Sequence, residues 1–137
     1  MIEIKREDFS VDEVVEGLLT DGMGAVVTFV GVVRDSSNGK PVDHIEIEVY
    51  EEMAYKQLEA IRDEAIENFG VEEVSVIHRY GTLKVSENIM MIAVGAAHRG
   101  EAFDACRYVI DNIKKRVPIW KKEVTPDGES WVEGKKP

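Results

Sequence analysis

Ile45-Glu46-Ile47-Glu48-Val49-Tyr50 sets an apolar side chain at every second position, the period of a strand with one face on a core and the other in water. Such half-wet strands are the habit of antiparallel sheets, since parallel sheets are covered on both faces and read as continuous apolar runs. Upstream, Gly24 to Val33 is a nearly continuous apolar run rich in β-branched residues. It reads as a buried central strand, with Arg34 standing where it leaves the core. Between the two strands, Asp35-Ser36-Ser37-Asn38-Gly39-Lys40-Pro41 has the small and polar composition of a mobile loop.

Further out, Ile2 and Ile4 mark a short first strand. Ser10 with Glu13 is a capping-box pattern, and Val11, Val14, Val15, Leu18 and Leu19 then recur at helical spacing, which predicts a helix over about 10–20. Met53, Leu58, Ile61, Ala65, Ile66 and Phe69 predict a second helix stopped at Gly70. Residues 72–80 and 88–97 read as two strands joined through Gly81-Thr82-Leu83-Lys84-Val85-Ser86. Phe103, Cys106, Ile110 and Ile113 mark a third helix that opens near Arg99, and Pro118 keeps it from running far beyond Arg116. Ile119 to Val124 and Glu129 to Val132 form a closing hairpin around Thr125-Pro126-Asp127-Gly128. The order predicts an α+β fold: a mixed, mostly antiparallel sheet, helices packed on one side, and a C-terminal β-hairpin.

A length of 137 residues suits a single domain, 1–137, with one core. An apolar share of 44% and a charged share of 32% are those of an ordinary globular protein, with no run long enough to span a membrane. Met1-Ile2-Glu3-Ile4-Lys5-Arg6 has no signal-peptide pattern, so a cytoplasmic location is expected. One cysteine, Cys106, excludes an internal disulfide. A net charge of -10 would repel a phosphate backbone, so nucleic acid is not expected as a partner. His44 and His78 have no second ligand at metal spacing and read as structural, and neither metal nor cofactor is expected.

Against this acidic background stands Lys114-Lys115-Arg116-Val117-Pro118-Ile119-Trp120-Lys121-Lys122. Residues 98–137 carry nine Lys/Arg against seven Asp/Glu, whereas residues 1–97 carry eight against twenty. Cations gathered against the overall balance point to a fixed anion near the C-terminal third, or else to lysines that decorate a solvated helix end. His98-Arg99-Gly100 begins the third helix, where unpaired N–H groups and the dipole favour an anion. There too the plain alternative is a cap with an exposed arginine.

The order of motifs resembles the large, catalytic subunit of molybdopterin synthase, the MoaE family, over nearly the whole chain. Phe29-Val30-Gly31-Val32-Val33-Arg34, Glu48-Val49-Tyr50-Glu51-Glu52-Met53-Ala54, His78-Arg79-Tyr80-Gly81, and His98-Arg99 followed by Ala102-Phe103 carry the likeness. Asp111-Asn112-Ile113-Lys114, Pro118-Ile119-Trp120-Lys121-Lys122-Glu123, and Asp127-Gly128 with Trp131-Val132 continue it. The resemblance implies an α/β-hammerhead fold. It also implies a sulfurtransferase that converts cyclic pyranopterin monophosphate (precursor Z) into molybdopterin, in molybdenum cofactor biosynthesis. Sulfur would come from the thiocarboxylated C-terminal glycine of a small ubiquitin-like subunit, within a homodimer that becomes a heterotetramer. By resemblance Lys114 and Lys121 are the catalytic lysines, and Arg34, His98 and Arg99 contact the substrate anion. Lys122 is counted with the substrate-binding cations, as is Lys135, which stands where relatives carry an arginine that reaches a neighbouring subunit's pocket. Ser86 replaces a frequent glycine.

The implied chemistry suits the residues, because a thiocarboxylate and a cyclic phosphate repel one another and cations must hold both. A partly desolvated lysine among like charges has a lowered pKa, so it transfers a proton or attacks an acyl carbon where arginine does not. On this reading Lys114 serves the tail carbonyl and Lys121 steadies charge on the substrate. Cys106, on an apolar helical stripe, reads as buried rather than as a sulfur carrier. Trp120 and Trp131 suit either a cross-strand pair or a stacking surface for the pterin. The competing class is a non-catalytic oligomeric module that binds a phosphorylated ligand or a peptide tail.

Overall fold

The computed structural model describes all residues, Met1–Pro137. Its elements are β1 (Ile2–Lys5), α1 (Val11–Leu18), β2 (Ala25–Val32), β3 (Ser36–Ser37), β4 (Lys40–Pro41), β5 (His44–Val49), α2 (Glu51–Phe69), β6 (Glu73–Arg79), β7 (Gly81–Lys84), β8 (Asn88–Ala96), α3 (Arg99–Arg116), β9 (Ile119–Thr125) and β10 (Gly128–Trp131), with a last 3-10 turn over Val132–Gly134. The fold is α+β, and only β1 and β6 pair in parallel. The strands divide into two four-stranded sheets, β1-β6-β8-β2 and β10-β9-β5-β7, with β3 and β4 as a separate hairpin.

The first sheet holds the core, and its inner strands are β6 and β8, with β2 outside them. Met90, Ile92, Val94 and Ala96 of β8 face the large core built with α2 and α3. Met91 and Ala93 face Leu18 and the other apolar residues of α1. A strand covered on both faces favours apolar residues at every position, which is why β8 is apolar from Ile89 onward. Helices therefore lie on both sides of this sheet, α1 opposite α2 and α3, where packing on one side was expected. The physical cause is the apolar second face of β8, which α1 removes from water.

β2 was expected at the centre and is at the edge, bonded only to β8. Its apolar run leaves Phe29 36% and Val32 48% exposed. A run of apolar residues reports cover on two faces, and in this chain part of that cover is missing.

The helices start and stop for local reasons. Ser10 Oγ accepts the Glu13 N–H at 3.3 Å, capping α1. Gly70 ends α2 in the left-handed conformation, φ 67°, where a Cβ would be strained. Val117 is extended, as the residue before a proline prefers to be, and this ends α3 at Arg116. α2 and α3 are joined by Arg116, whose two nitrogens reach the Glu64 carboxylate at 2.6 and 2.9 Å. Tyr108 donates to the same carboxylate. These contacts hold the Glu64 carboxyl down to about 2.

Three smaller expectations also meet the structure. The segment read as a joining loop contains β7, which pairs with His44 to Ile47 of β5. The Asp35–Pro41 loop folds into the two-residue hairpin of β3 and β4, turned by Asn38 and Gly39, both at positive φ as a type I′ turn needs. Phe103 lies off the buried stripe of α3 and is 61% exposed, while Ala102, Ala105, Cys106, Val109 and Ile113 form that stripe. No helix is long and apolar enough to cross a membrane.

Candidate active site

The site forms where α3 gives way to β9. Lys114 lies in the last turn of α3, and Val117-Pro118 turns the chain so that β9 leaves alongside β5. The register opposes Ile47 to Lys121 and Ile45 to Glu123. Ile45 and Ile47 are buried, so Lys121 takes their inward face and Lys122 the outward one.

A cavity of about 120 Å³ is lined by Lys114, Lys121 and Lys135 together with His78, Trp120 and Glu133. A larger hollow of about 440 Å³ adjoins it, lined by Arg34, Phe29 and Glu123. Lys114 and Lys121 line both. Lys114 and Lys121 thus stand in the wall shared by a small hollow and a wider one that carries a guanidinium.

Burial and the neighbouring Lys114 charge lower the Lys121 pKa, against a smaller opposing pull from Glu133. An ammonium that has lost part of its water and faces a like charge gives up its proton more readily. Lys114 itself stays exposed. Lys135 is held 3.5 Å from Glu133, beside the cavity, by the turn at Val132–Gly134.

Two groups of expected site residues lie elsewhere. Lys122 points to the outer face, where its Nζ meets Glu46 at 3.0 Å and Glu129 at 2.7 Å and lies over the Trp131 ring. Those carboxylates raise its pKa and leave the cation committed away from the cavity. His98 and Arg99 sit at the start of α3, exposed. Fifteen residues of helix, about 22 Å at 1.5 Å each, separate Arg99 from Lys114 in the same chain. The two tryptophans do not pair: Trp131 opposes Lys122, and Trp120 opposes Glu48 while lining the small cavity. Cys106 is buried, and burial pushes its thiol up, away from the reactive thiolate.

His78 was read as structural, yet it lines the cavity. One signal was present in the sequence, an imidazole continuing the alternation of Val74 and Val76 on the inward face of a strand.

The family model described as MoaE protein matches residues 4–116, a span that includes Lys114 and stops short of Lys121. The molybdopterin synthase catalytic subunit of Pyrococcus abyssi is 45% identical over 130 residues, covering 95% of this chain and 88% of that one. The subunit of the same name from Staphylococcus carnosus is 42% identical, covering 95% and 87%. Among solved structures, molybdopterin synthase from Staphylococcus aureus superposes with a TM-score of 0.90 at 40% identity, over 94% of each chain. With the family model and relatives of this similarity matched over most of its length, the chain belongs to the MoaE family.

Proposed function

We propose that the chain is the catalytic subunit of a molybdopterin synthase, an enzyme of molybdenum cofactor biosynthesis that transfers sulfur to cyclic pyranopterin monophosphate. The sulfur donor is the thiocarboxylated C-terminus of a small ubiquitin-like subunit. The observation that carries this reading is the position of Lys114 and Lys121 in the wall between the two hollows. The small cavity suits a slender glycine tail, and the wider one, with Arg34, suits a phosphorylated ring. Both reactants are anionic, and the shared wall supplies the positive charge that lets them meet.

Buried and facing the Lys114 charge, the Lys121 ammonium gives up its proton more readily than an ordinary lysine, which suits it to the proton transfer. Lys114, exposed beside it, then steadies the anions. This reverses the division of labour expected from the sequence. His98 and Arg99 reach the substrate only from a second copy of the chain. The bare edge of β2 with exposed Phe29 and Val32 is a surface such a homodimer would cover, and a small subunit on each copy completes a heterotetramer.

The test mixes the purified chain with thiocarboxylated small subunit and cyclic pyranopterin monophosphate and follows the dithiolene product. Product from the wild-type chain and its loss in Lys114→Ala, with small-subunit binding retained, is the expected result. Full activity of that variant removes Lys114 from the chemistry, and an inactive wild-type chain overturns the function.

A further inference from the structure

His78 has no part in the reading above, although it is buried to 2% exposure in the cavity wall. Its Nδ1 lies 2.8 Å from the Arg79 carbonyl oxygen. A carbonyl only accepts, so the proton sits on Nδ1 and Nε2 keeps its lone pair. Nε2 has no hydrogen bond within the chain. No fully enclosed side-chain nitrogen or oxygen lacks a partner, so the unpaired Nε2 is the part of the ring that meets the cavity.

Lys121 shares that cavity and has no carboxylate partner, in contrast to Lys122 with two. Its ammonium brings three donors to a space whose wall presents the free Nε2 acceptor beside a Glu133 carboxylate already paired with Lys135. We propose that His78 is a positioning residue for Lys121: the structure draws no hydrogen bond between the two, and turning the Lys121 side chain within the shared cavity lets the free Nε2 lone pair receive the ammonium and hold that nitrogen at the wall between the two hollows. The proposal rests on the proposed sulfur transfer for its purpose, though its geometry is independent of it.

A neutral acceptor has a specific advantage at this place. A carboxylate in the position of His78 would orient the lysine equally well, but it would cancel the charge that has to meet two anions and would raise the lysine pKa. The imidazole orients without neutralising. The charged groups facing it are Lys121 from β9, Lys114 from α3, and Glu133 and Lys135 from the C-terminal turn. Arg79 is directed away, its guanidinium bonded to the carbonyls of Arg6 and Asn88. Burial first, and the Lys121 charge second, push the His78 pKa down to about 4, so the ring remains an acceptor at neutral pH.

The test is an NMR titration of Lys121 in the full chain carrying labelled lysine, for wild type, His78→Phe and His78→Gln. Phenylalanine keeps a ring without the acceptor, and glutamine returns a polar atom near the position of Nε2. The expected result is a Lys121 midpoint lower by about half a pH unit or more in His78→Phe and restored by His78→Gln. An unchanged midpoint in His78→Phe overturns the proposal, and so do equal displacements in both variants, which report altered packing. The wild-type imidazole gives a check that needs no variant: its nitrogen spectrum at neutral pH shows the proton on Nδ1, and a proton on Nε2 overturns the proposal. In sulfur transfer, His78→Phe lowers kcat about tenfold with KM for the small subunit unchanged, and His78→Gln recovers it. Because the titration does not depend on turnover, its failure is distinct from failure of the proposed function.

Discussion

Lys121 and Lys122 are adjacent on one strand, and their surroundings oppose each other. On the inner face of β9, Lys121 shares a cavity with a second lysine and the His78 imidazole, and burial together with the Lys114 charge lowers its pKa. On the outer face, Lys122 lies between Glu46 and Glu129, within a chain of charges that continues to His44 and Asp43. Hydrogen bonds to those carboxylates raise its pKa. The same side chain has its pKa lowered or raised according to which neighbours the pleat of the strand presents. A basic run therefore has to be divided by strand parity before it is read as a site.

The sharpest way to break this contrast is to remove each lysine in turn. Lys121→Ala is expected to slow sulfur transfer roughly 100-fold or more, the usual scale for a lost proton-transfer group, while Lys122→Ala leaves it within about twofold. Single-turnover conversion of the pterin measures both. Comparable losses in the two variants would erase the distinction between the faces.

The inner face also predicts a pH dependence. The folded-state pKa of His78, about 4, lies below its ordinary 6.5, so between these values the unfolded chain binds the extra proton and stability falls as pH falls. About 3 kcal/mol is at stake over that window, and urea unfolding at several pH values should show it flattened in His78→Gln. Glu64, held down to about 2, adds its loss only below its ordinary 4.5. The two windows can therefore be told apart. A smaller effect is expected where α2 and α3 are joined. Arg116→Ala removes a two-point ion pair that is about a third exposed, at a cost of about 1 kcal/mol by the same unfolding measurement. The smallest effect belongs to the outer face: Lys122→Met should leave the thermal unfolding midpoint almost unmoved at physiological salt, because exposed ion pairs add little.

Most elements were legible because their signals are local. The Ser10 cap, the Gly70 stop, the Pro118 break and the alternation from Ile45 to Val49 each depend on a few neighbouring residues, and the structure places a helix end or strand at each. What was misread depended on partners distant in sequence. β2 and β8 are both apolar runs, and nothing within either says which has a strand on both sides. Gly81 to Lys84 carries too few residues to show a period, and becomes a strand because His44 to Ile47 lies beside it. Ser86, the position where the resemblance implies a frequent glycine, does adopt positive φ, 72°. At the site, Lys114, Lys121 and Arg34 were named from the sequence and line adjoining hollows, whereas Lys122 and the pair His98 and Arg99 do not join them within one chain.

By itself the sequence determined the α+β class, the order of helices and strands, and the concentration of positive charge on either side of Pro118. These follow from periodicity, caps and composition, which act over a turn of helix or a few residues of strand. Only the tertiary structure decided that α1 covers the second face of β8, that β2 is left at an edge, and that one lysine of an adjacent pair faces a cavity beside a buried imidazole. Those outcomes depend on which surfaces meet and lose water, and contacts between distant segments leave no period in the chain to be read.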